Sequence, residues 1–360
     1  VDNIINERRG LTPGGRKIYT LEDIYPYADL VTYPSDFEGF GNAFLEAIYF
    51  QKPIVVNSYS IFTLDIKPKG FDVIEIDGYV TEEAVVKTRQ VLKDPEIDAV
   101  YIPLPNSMHA TWTIRALDAG KHVLCEKPIG VSAADAQRLL DAARKHRQLK
   151  VMEAFMYRFH PQGRFAQEIV SAGRIGRPRA SHSVFGYYND DPDNVRHVAD
   201  WGGGGLLDIG CYAVSVSRLL FESEPLRALG TLEYDPRFGT DRLCTGLLEF
   251  SGGTAAFSCG TQMAPFQRVN AIGTTGRIEL ERPFNPSADQ AARVWLQDAE
   301  GTRERRSEAC NQYTAMGDAF AHAVLDDTAV PTPLEDAVAN MRVIDAIVRS
   351  ARTGGWVEIG

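Results

Sequence analysis

The sequence predicts an α/β segment on a parallel sheet, followed by an α+β segment on a large, mostly antiparallel sheet. Three observations carry this. Up to about residue 155, strand-like and helix-like patterns alternate, and alternation of that kind builds parallel sheets. Beyond about residue 160, β-rich runs recur with little but turn residues between them. A long amphipathic pattern over residues 334–352 then ends the series as a helix.

The elements follow in order. "ADLVTYPS" is apolar and β-branched, "DFEGFG" is rich in turn residues, "NAFLEAIYFQ" has helical spacing and "KPIVVN" reads as a short buried strand. "FDVIEI" is a strand, and a helix runs through "TEEAVVKTRQVLKD", with Thr81 as its cap and acidic residues in its first turn. A second series begins with the strand "IDAVYIPLP" and the helix "HATWTIRALDAG", closed by Gly120. The strand "KHVLCEKP" leads to the helix "SAADAQRLLDAARKH", capped by Ser132 and apolar at 136, 139, 140 and 143. "KVMEAFMYRF" reads as one more strand. The later strands are "PRASHSVFGYY", "RALGTLEYD", "DRLCTGLLEFS", "TAAFSCGT" and "RVNAIGTTGRIEL".

Composition narrows the function. The chain has 360 residues, 44% apolar and 24% charged, the balance of a globular protein with room for two domains. A net charge of -10, with no basic stretch against it, argues against a nucleic-acid or anionic-membrane binder. No apolar run of about 18 residues is read, so no membrane span is expected. No secretory leader is visible. Five scattered cysteines (Cys125, Cys211, Cys244, Cys259, Cys310) form no C-x-x-C pair, so the expectation is a cytoplasmic protein without disulfides or zinc. His109, His122, His160, His182 and His197 lack ligand-like pairing, and no metal is expected.

Ligands of parallel sheets bind beyond the carboxyl ends of the strands. "PLPNSMH" (103–109) and "CEKP" (125–128) are two such ends, which should bring Asn106 near Lys127. "WGGGGLLDIGCYAVSVSRLLF" (201–221) adds Asp208 and Tyr212, four apart and so on one helical face. A Lys, an Asp and a Tyr converging on a cleft suit proton transfer. The ammonium should favour tyrosinate and lower the Tyr pKa. The blander reading pairs Lys127 with Glu126 at a strand end and leaves Asp208 and Tyr212 on an ordinary, partly exposed helix.

On "DAVYIPLPNSMHA", "AGKHVLCEKP", "VMEAFMYRFHP", "GGGGLLDIGCYAV" and the closing helix, residues 97–360 resemble the Gfo/Idh/MocA oxidoreductases. The resemblance implies a Rossmann-like domain, an α+β substrate domain and a nicotinamide cofactor, NAD or NADP. It implies that Lys127 contacts substrate and cofactor, and that Asp208 and Tyr212 serve the reacting hydroxyl. Asn106 and His109 match the cofactor-side loop, beside Glu126, Lys127 and Pro128. Arg158 and Arg196 are substrate-side candidates, against a surface or structural ion pair for each. Tyr212, together with "EAFMYRFHP", points to the glucose–fructose oxidoreductase-like branch, acting on pyranose sugars or cyclic diols. The implied reaction is hydride transfer between a sugar carbon and nicotinamide C4. Tyr212 would exchange the proton, Lys127 tune it and Asp208 orient the pair. A homo-oligomer, formed by pairing of open sheets, belongs to the same implication.

A dinucleotide site needs G-x-G-x-x-G at a helix start. Residues 1–96 hold no such motif; "GFGNAF" (39–44) has Phe44 at its third position. "YADLVTYPSDFEGFGNAFLEAIYFQKPIVVN" instead resembles the C-terminal half-site of family 4 glycosyltransferases, with Glu38 and Glu46 as its E-x7-E pair. That resemblance implies that Glu46 binds the ribose of a nucleotide sugar and that Glu38 faces the transferred sugar. Backbone N–H groups at Gly41, Asn42 and onward suit a diphosphate. The expected organisation is an apparent fusion near "VLKDPEIDAV": a glycosyltransferase-like half-Rossmann segment (1–96), the second half of a dinucleotide-binding domain (97–155), and a substrate and oligomerisation domain (156–360). In the last of these, the final helix packs back on the Rossmann part. The sequence thus supports a sugar or diol oxidoreductase whose cofactor side lacks its glycine loop. A nucleotide-sugar-binding transferase remnant and a non-catalytic fusion are the alternatives.

Overall fold

The computed structural model describes residues 92–360, with the backbone of six short strands before them. These are β1 (Ile4–Ile5), β2 (Gly10–Leu11), β3 (Lys17–Tyr19), β4 (Val31–Tyr33), β5 (Ile54–Asn57) and β6 (Ile74–Ile76). β4, β5 and β6 lie within three of the runs read as strands and pair in parallel in that order. The chain divides into two compact units, residues 1–103 with 115–123, and residues 104–114 with 124–360.

Strands β7 (Ala99–Ile102), β8 (His122–Glu126) and β9 (Val151–Ala154) form a three-stranded sheet in that order, joined by helices α1 (Asn106–Asp118) and α2 (Ala133–Ala143). This is a Rossmann-like arrangement. Val123 and Cys125 of β8 and Met152 and Ala154 of β9 have no measurable exposure, as expected of strands covered on both faces. Gly120 follows α1 at φ +79, a conformation that favours glycine. Ser132 caps α2 by accepting from the Asp135 N–H, and Ala136, Leu139 and Leu140 form its buried stripe.

"KVMEAFMYRF" is a strand only over β9. Residues Met156–Phe159 turn as a 3-10 helix instead, burying Met156, Tyr157 and Phe159. The chain must turn there because helix α3 (Pro161–Ser171) begins at once, capped by His160 with Pro161 at its first position.

The second unit centres on a nine-stranded sheet. Its strands are β10 (Pro178–Tyr188), β11 (Arg227–Tyr234), β12 (Asp241–Phe250), β13 (Gly253–Gly260), β14 (Gln262–Gly273), β15 (Arg277–Leu280), β16 (Arg293–Asp298), β17 (Gly301–Arg306) and β18 (Val357–Glu358). The order is β17-β16-β15-β14-β10-β13-β12-β11-β18. Only β10 and β13 pair in parallel. One face buries Cys244, Leu248, Phe257, Cys259 and Val269. Helices α4 (Cys211–Phe221) and α6 (Leu334–Thr353) pack on the sheet, and α5 (Gln312–Leu325) packs on the Met156–Phe159 turn. The β16–β17 hairpin is not foreseen from sequence. "GTRERR" has no apolar alternation and every residue of β17 is exposed. It is held by register and by charge pairs such as Arg303 with Asp298.

Helix α6 also packs along α2, where Asp345 Oδ2 accepts from the Ala133 N–H at 3.0 Å. α2 and β9 lie in the second compact unit, and β9 also contacts α6. The helical stretch Ala199–Phe221 is, by length and composition, apolar enough to cross a membrane, with a mean hydropathy of 1.3, although Asp208 and Arg218 interrupt it. Most of it is buried inside the protein, which is how a core helix passes the same test.

Arg218, its side chain 4% exposed, fastens α4 to α6. Its Nε and Nη2 donate to the Glu224 carboxylate at 2.7 Å each, Nη2 lies 3.0 Å from Asp336 Oδ1, and Nη1 donates to Asn340 Oδ1 at 3.3 Å. Replacing Arg218 with Met should cost about 3–5 kcal/mol, because it strips a buried ion network of one partner. Urea unfolding of the variant measures this; a loss under about 1 kcal/mol would show that the network does not fasten the helices.

Candidate active site

The site is built on the run of glycines at 202–205. Gly202 stands at φ +78, where a Cβ would come within 2.5 Å of Val131 Cγ1. Gly204 stands at φ +117, where a Cβ would come within 2.0 Å of Asp241 Oδ1. Without side chains there, the buried Asp241 carboxylate reaches in and accepts from the Leu206 N–H at 2.6 Å. It thereby caps a π-type turn, Leu206–Gly210, that runs directly into α4. Asn106 Nδ2 donates to Gly202 O at 2.8 Å and ties the loop after β7 to the same segment.

Asp208 sits in that turn with its side chain 11% exposed. Lys127, at the end of β8 and followed by a cis bond to Pro128, donates from Nζ to Asp208 O at 2.6 Å and lies 3.3 Å from Asp208 Oδ1. Lys127 therefore pairs with Asp208, not with Glu126, whose Oε2 accepts the Lys127 backbone N–H. On the other carboxylate oxygen, Oδ2, Arg196 Nε donates at 2.9 Å and Tyr187 OH at 2.6 Å. Burial alone would raise the pKa of Asp208. Lys127 and Arg196, with the Tyr187 and Arg196 hydrogen bonds, outweigh it and hold the carboxyl well below its usual range. Burial likewise works against the Lys127 ammonium, and Asp208 more than restores it, so Lys127 is charged.

Tyr212 departs from expectation. It is 3% exposed, in an aromatic cluster with Phe155, Phe185 and Phe284 at ring-centroid distances of 5.2, 5.6 and 5.4 Å. Lys127 Nζ stands over its ring, 5.0 Å from the centroid, not at its oxygen. The hydroxyl donates to Met156 Sδ at 3.2 Å. Burial and then Glu126 push its pKa well above the ordinary tyrosine value, the opposite of the direction expected from a nearby ammonium. The cause is geometric: an ammonium on the ring face does not stabilise the oxyanion enough to offset desolvation.

Other candidates are placed elsewhere. His109 is fully buried, with Nδ1 2.7 Å from Pro128 O and Nε2 2.5 Å from Leu104 O, so it clasps two strand-end loops instead of facing a ligand. Burial lowers its pKa to about 4 against the raising effect of those carbonyls. Arg158 is engaged by the protein itself. Its Nη2 donates to Ser215 Oγ at 2.7 Å and lies 2.9 Å from Asp336 Oδ2, a buried structural pair. Arg196 does reach the site and keeps its side chain 43% exposed. Glu38, Gly41, Asn42 and Glu46 lie outside the described residues. Among the described residues, no group of three or more His, Cys, Asp or Glu is arranged to hold a metal.

Sequence reasoning missed Tyr187 and Asp241. Tyr187 sits in "FGYYNDD" at the end of a strand, where only its position near the strand terminus could have singled it out. Asp241 lies 33 positions after Asp208, and nothing local marks it as the cap of that turn.

Residues 71–155 match the profile described as an oxidoreductase family with an NAD-binding Rossmann fold, and residues 164–279 match the GFO/IDH/MocA C-terminal domain. The first match starts ahead of residue 97, so residues 71–96, read above as transferase-like, fall within the oxidoreductase match. An uncharacterized oxidoreductase from Rhizobium meliloti is 40% identical over 75% of this chain and 82% of its own. A D-xylose 1-dehydrogenase (NADP(+)) from Haloferax volcanii is 37% identical over 75% of this chain and 82% of its own. Among solved structures, a 3-ketoreductase from Actinomadura kijaniata in complex with NADP and TDP-benzene superposes with a TM-score of 0.71 at 29% identity, over 89% of this chain and 97% of that one. An aldose-aldose oxidoreductase from Caulobacter crescentus gives 0.73 at 27% identity, over 85% and 90%.

The position of Tyr212 has a direct optical test. Phenolate absorbance near 295 nm should rise identically in wild type and Tyr212→Phe up to about pH 10. A wild-type signal that appears below about pH 8 and vanishes in the variant would show Tyr212 to be acidic after all.

Proposed function

The chain belongs to the Gfo/Idh/MocA oxidoreductases, an NAD(P)-dependent family, and on that premise we propose that it reduces a ketone of a pyranose sugar or cyclic diol derivative and catalyses the reverse oxidation. The observation that carries this reading is the Lys127–Asp208 contact, which joins two motif segments 81 positions apart into one charged, buried pair. The residues that fit a nicotinamide are those at the strand ends: Asn106 on its loop and Lys127 with Pro128 behind it. The donor set is one a nicotinamide site can use, an ammonium fixed beside the carboxyl end of β8. The bound cofactor supplies or accepts the hydride.

The chain's own residues handle the oxygen and the proton. Lys127 presents N–H donors to the substrate oxygen and stabilises the charge that develops there. Asp208 fixes Lys127 in place. Tyr212 holds its proton, and its hydroxyl is engaged only by a thioether, a weak acceptor. It can therefore be turned to a stronger acceptor at little cost. A phenol that keeps its proton can donate it to the alkoxide that forms when a carbonyl is reduced. The names of the relatives, a sugar dehydrogenase and a ketoreductase, support the substrate class.

Two measurements test the proposal. NADPH or NADH titrated by fluorescence should bind saturably, and Lys127→Ala should lower the reduction rate by about 100-fold or more. Reduction should be flat from about pH 6 to 9 and oxidation should climb through the same range, because Tyr212 must lose its proton only for the latter. Absence of cofactor binding at millimolar concentration would overturn the reading.

A further inference from the structure

Glu153 is buried at the centre of β9, 3% exposed, and has no part in the chemistry described so far. Its Oε1 accepts the Ile129 N–H at 2.7 Å in a fully buried contact. Ile129 lies two residues beyond Lys127, on the far side of Pro128, and has no measurable exposure. The Glu126–Ile129 segment is thus held at one end by the β8 ladder, at its far end by Glu153, and through the Pro128 carbonyl by His109. Among the described residues, Glu153 is the only side chain that accepts from the segment's last backbone N–H.

We propose that Glu153 is a positioning residue: by holding the Ile129 N–H it fixes the turn that delivers the Lys127 ammonium to Asp208. This rests on the reading of Lys127 as the group that meets the substrate oxygen. A displacement of about 1 Å at a catalytic group costs on the order of 100-fold in rate, so a single buried acceptor two residues away is enough to matter.

The surroundings of Glu153 set its protonation. Asp336 faces it from α6, Arg158 from the Met156–Phe159 turn, Arg218 and Cys211 from α4, and Cys125 from β8. Burial first, and then Asp336, raise its pKa to about 8, while the Ile129 N–H, Arg158 and Arg218 oppose the rise. It is a neutral acid at pH 7, and a carboxamide can replace it with the same acceptor oxygen and no charge. The folded pKa lies above the unfolded one. The proton it keeps stabilises the fold at low pH, and that contribution is lost as pH rises from about 4.5 to about 8.

The test uses Glu153→Gln, which keeps the acceptor, and Glu153→Leu, which keeps the volume without it. Hydrogen exchange of the peptide over residues 124–131 should be faster by about fivefold or more in Glu153→Leu and unchanged in Glu153→Gln. In the sugar-reduction assay, Glu153→Leu should lose about 10- to 100-fold in kcat with KM nearly unchanged, and Glu153→Gln should keep kcat within about threefold. The Tm of wild type should fall relative to Glu153→Gln between pH 5 and 8. Wild-type exchange and kcat in Glu153→Leu would overturn the proposal. So would equal damage in both variants, since Gln retains the acceptor. If Glu153→Leu does not fold, the Gln variant decides alone, by keeping or losing protection of the Ile129 amide and kcat. An altered exchange pattern in a protein with no sugar activity would defeat the functional reading and leave the positioning role standing.

Discussion

The site depends on one buried ion pair. Lys127 and Asp208 lie 3.3 Å apart with side chains 13% and 11% exposed, so each charge is costly there without a partner. Their gross attraction is about 5 kcal/mol at an effective dielectric of about 20, and desolvation consumes much of it. What remains is geometric. The pair locks the end of β8 to the start of α4, and Arg196 and Tyr187 complete the carboxylate so that it cannot turn away. The glycines at 202–205 and the Asp241 cap exist in the fold to put Asp208 at that point.

The same constraint bears on Tyr212, whose pKa burial raises. The ammonium is committed to Asp208, and it meets Tyr212 only over the ring. The phenol is left in an apolar cluster with a sulfur for a partner.

Much of this was legible in the sequence. Alternation located β7 to β9 and most strands of the large sheet, Ser132 and Gly120 marked the ends of their helices, and the motif segments that hold Lys127, Asp208 and Tyr212 meet in the structure. What was not legible had physical causes. Hydrogen-bond partners from distant strands, such as Tyr187 and Asp241, leave no local pattern. Arg158 and Arg196 look alike as letters, yet Asp336 on the last helix claims one and Asp208 the other. A tyrosine pKa depends on whether an ammonium meets the ring or the oxygen, which spacing alone does not decide. The charged β16–β17 hairpin carries none of the alternation by which strands are read. Residues 71–96, assigned from sequence to a transferase-like segment, fall within the oxidoreductase match, so the boundary near "VLKDPEIDAV" does not mark where that family begins.

A double-mutant cycle on stability probes the pair most directly, with Lys127→Met, Asp208→Asn and the double variant compared by urea unfolding at pH 7. Each single change leaves a charge buried without its main partner, and the double change removes both. The coupling energy should be about 1.5 kcal/mol or more, with the double variant less destabilised than the sum of the singles. Additivity within about 0.5 kcal/mol would contradict it, since Lys127 and Asp208 would then be neighbours and not a pair.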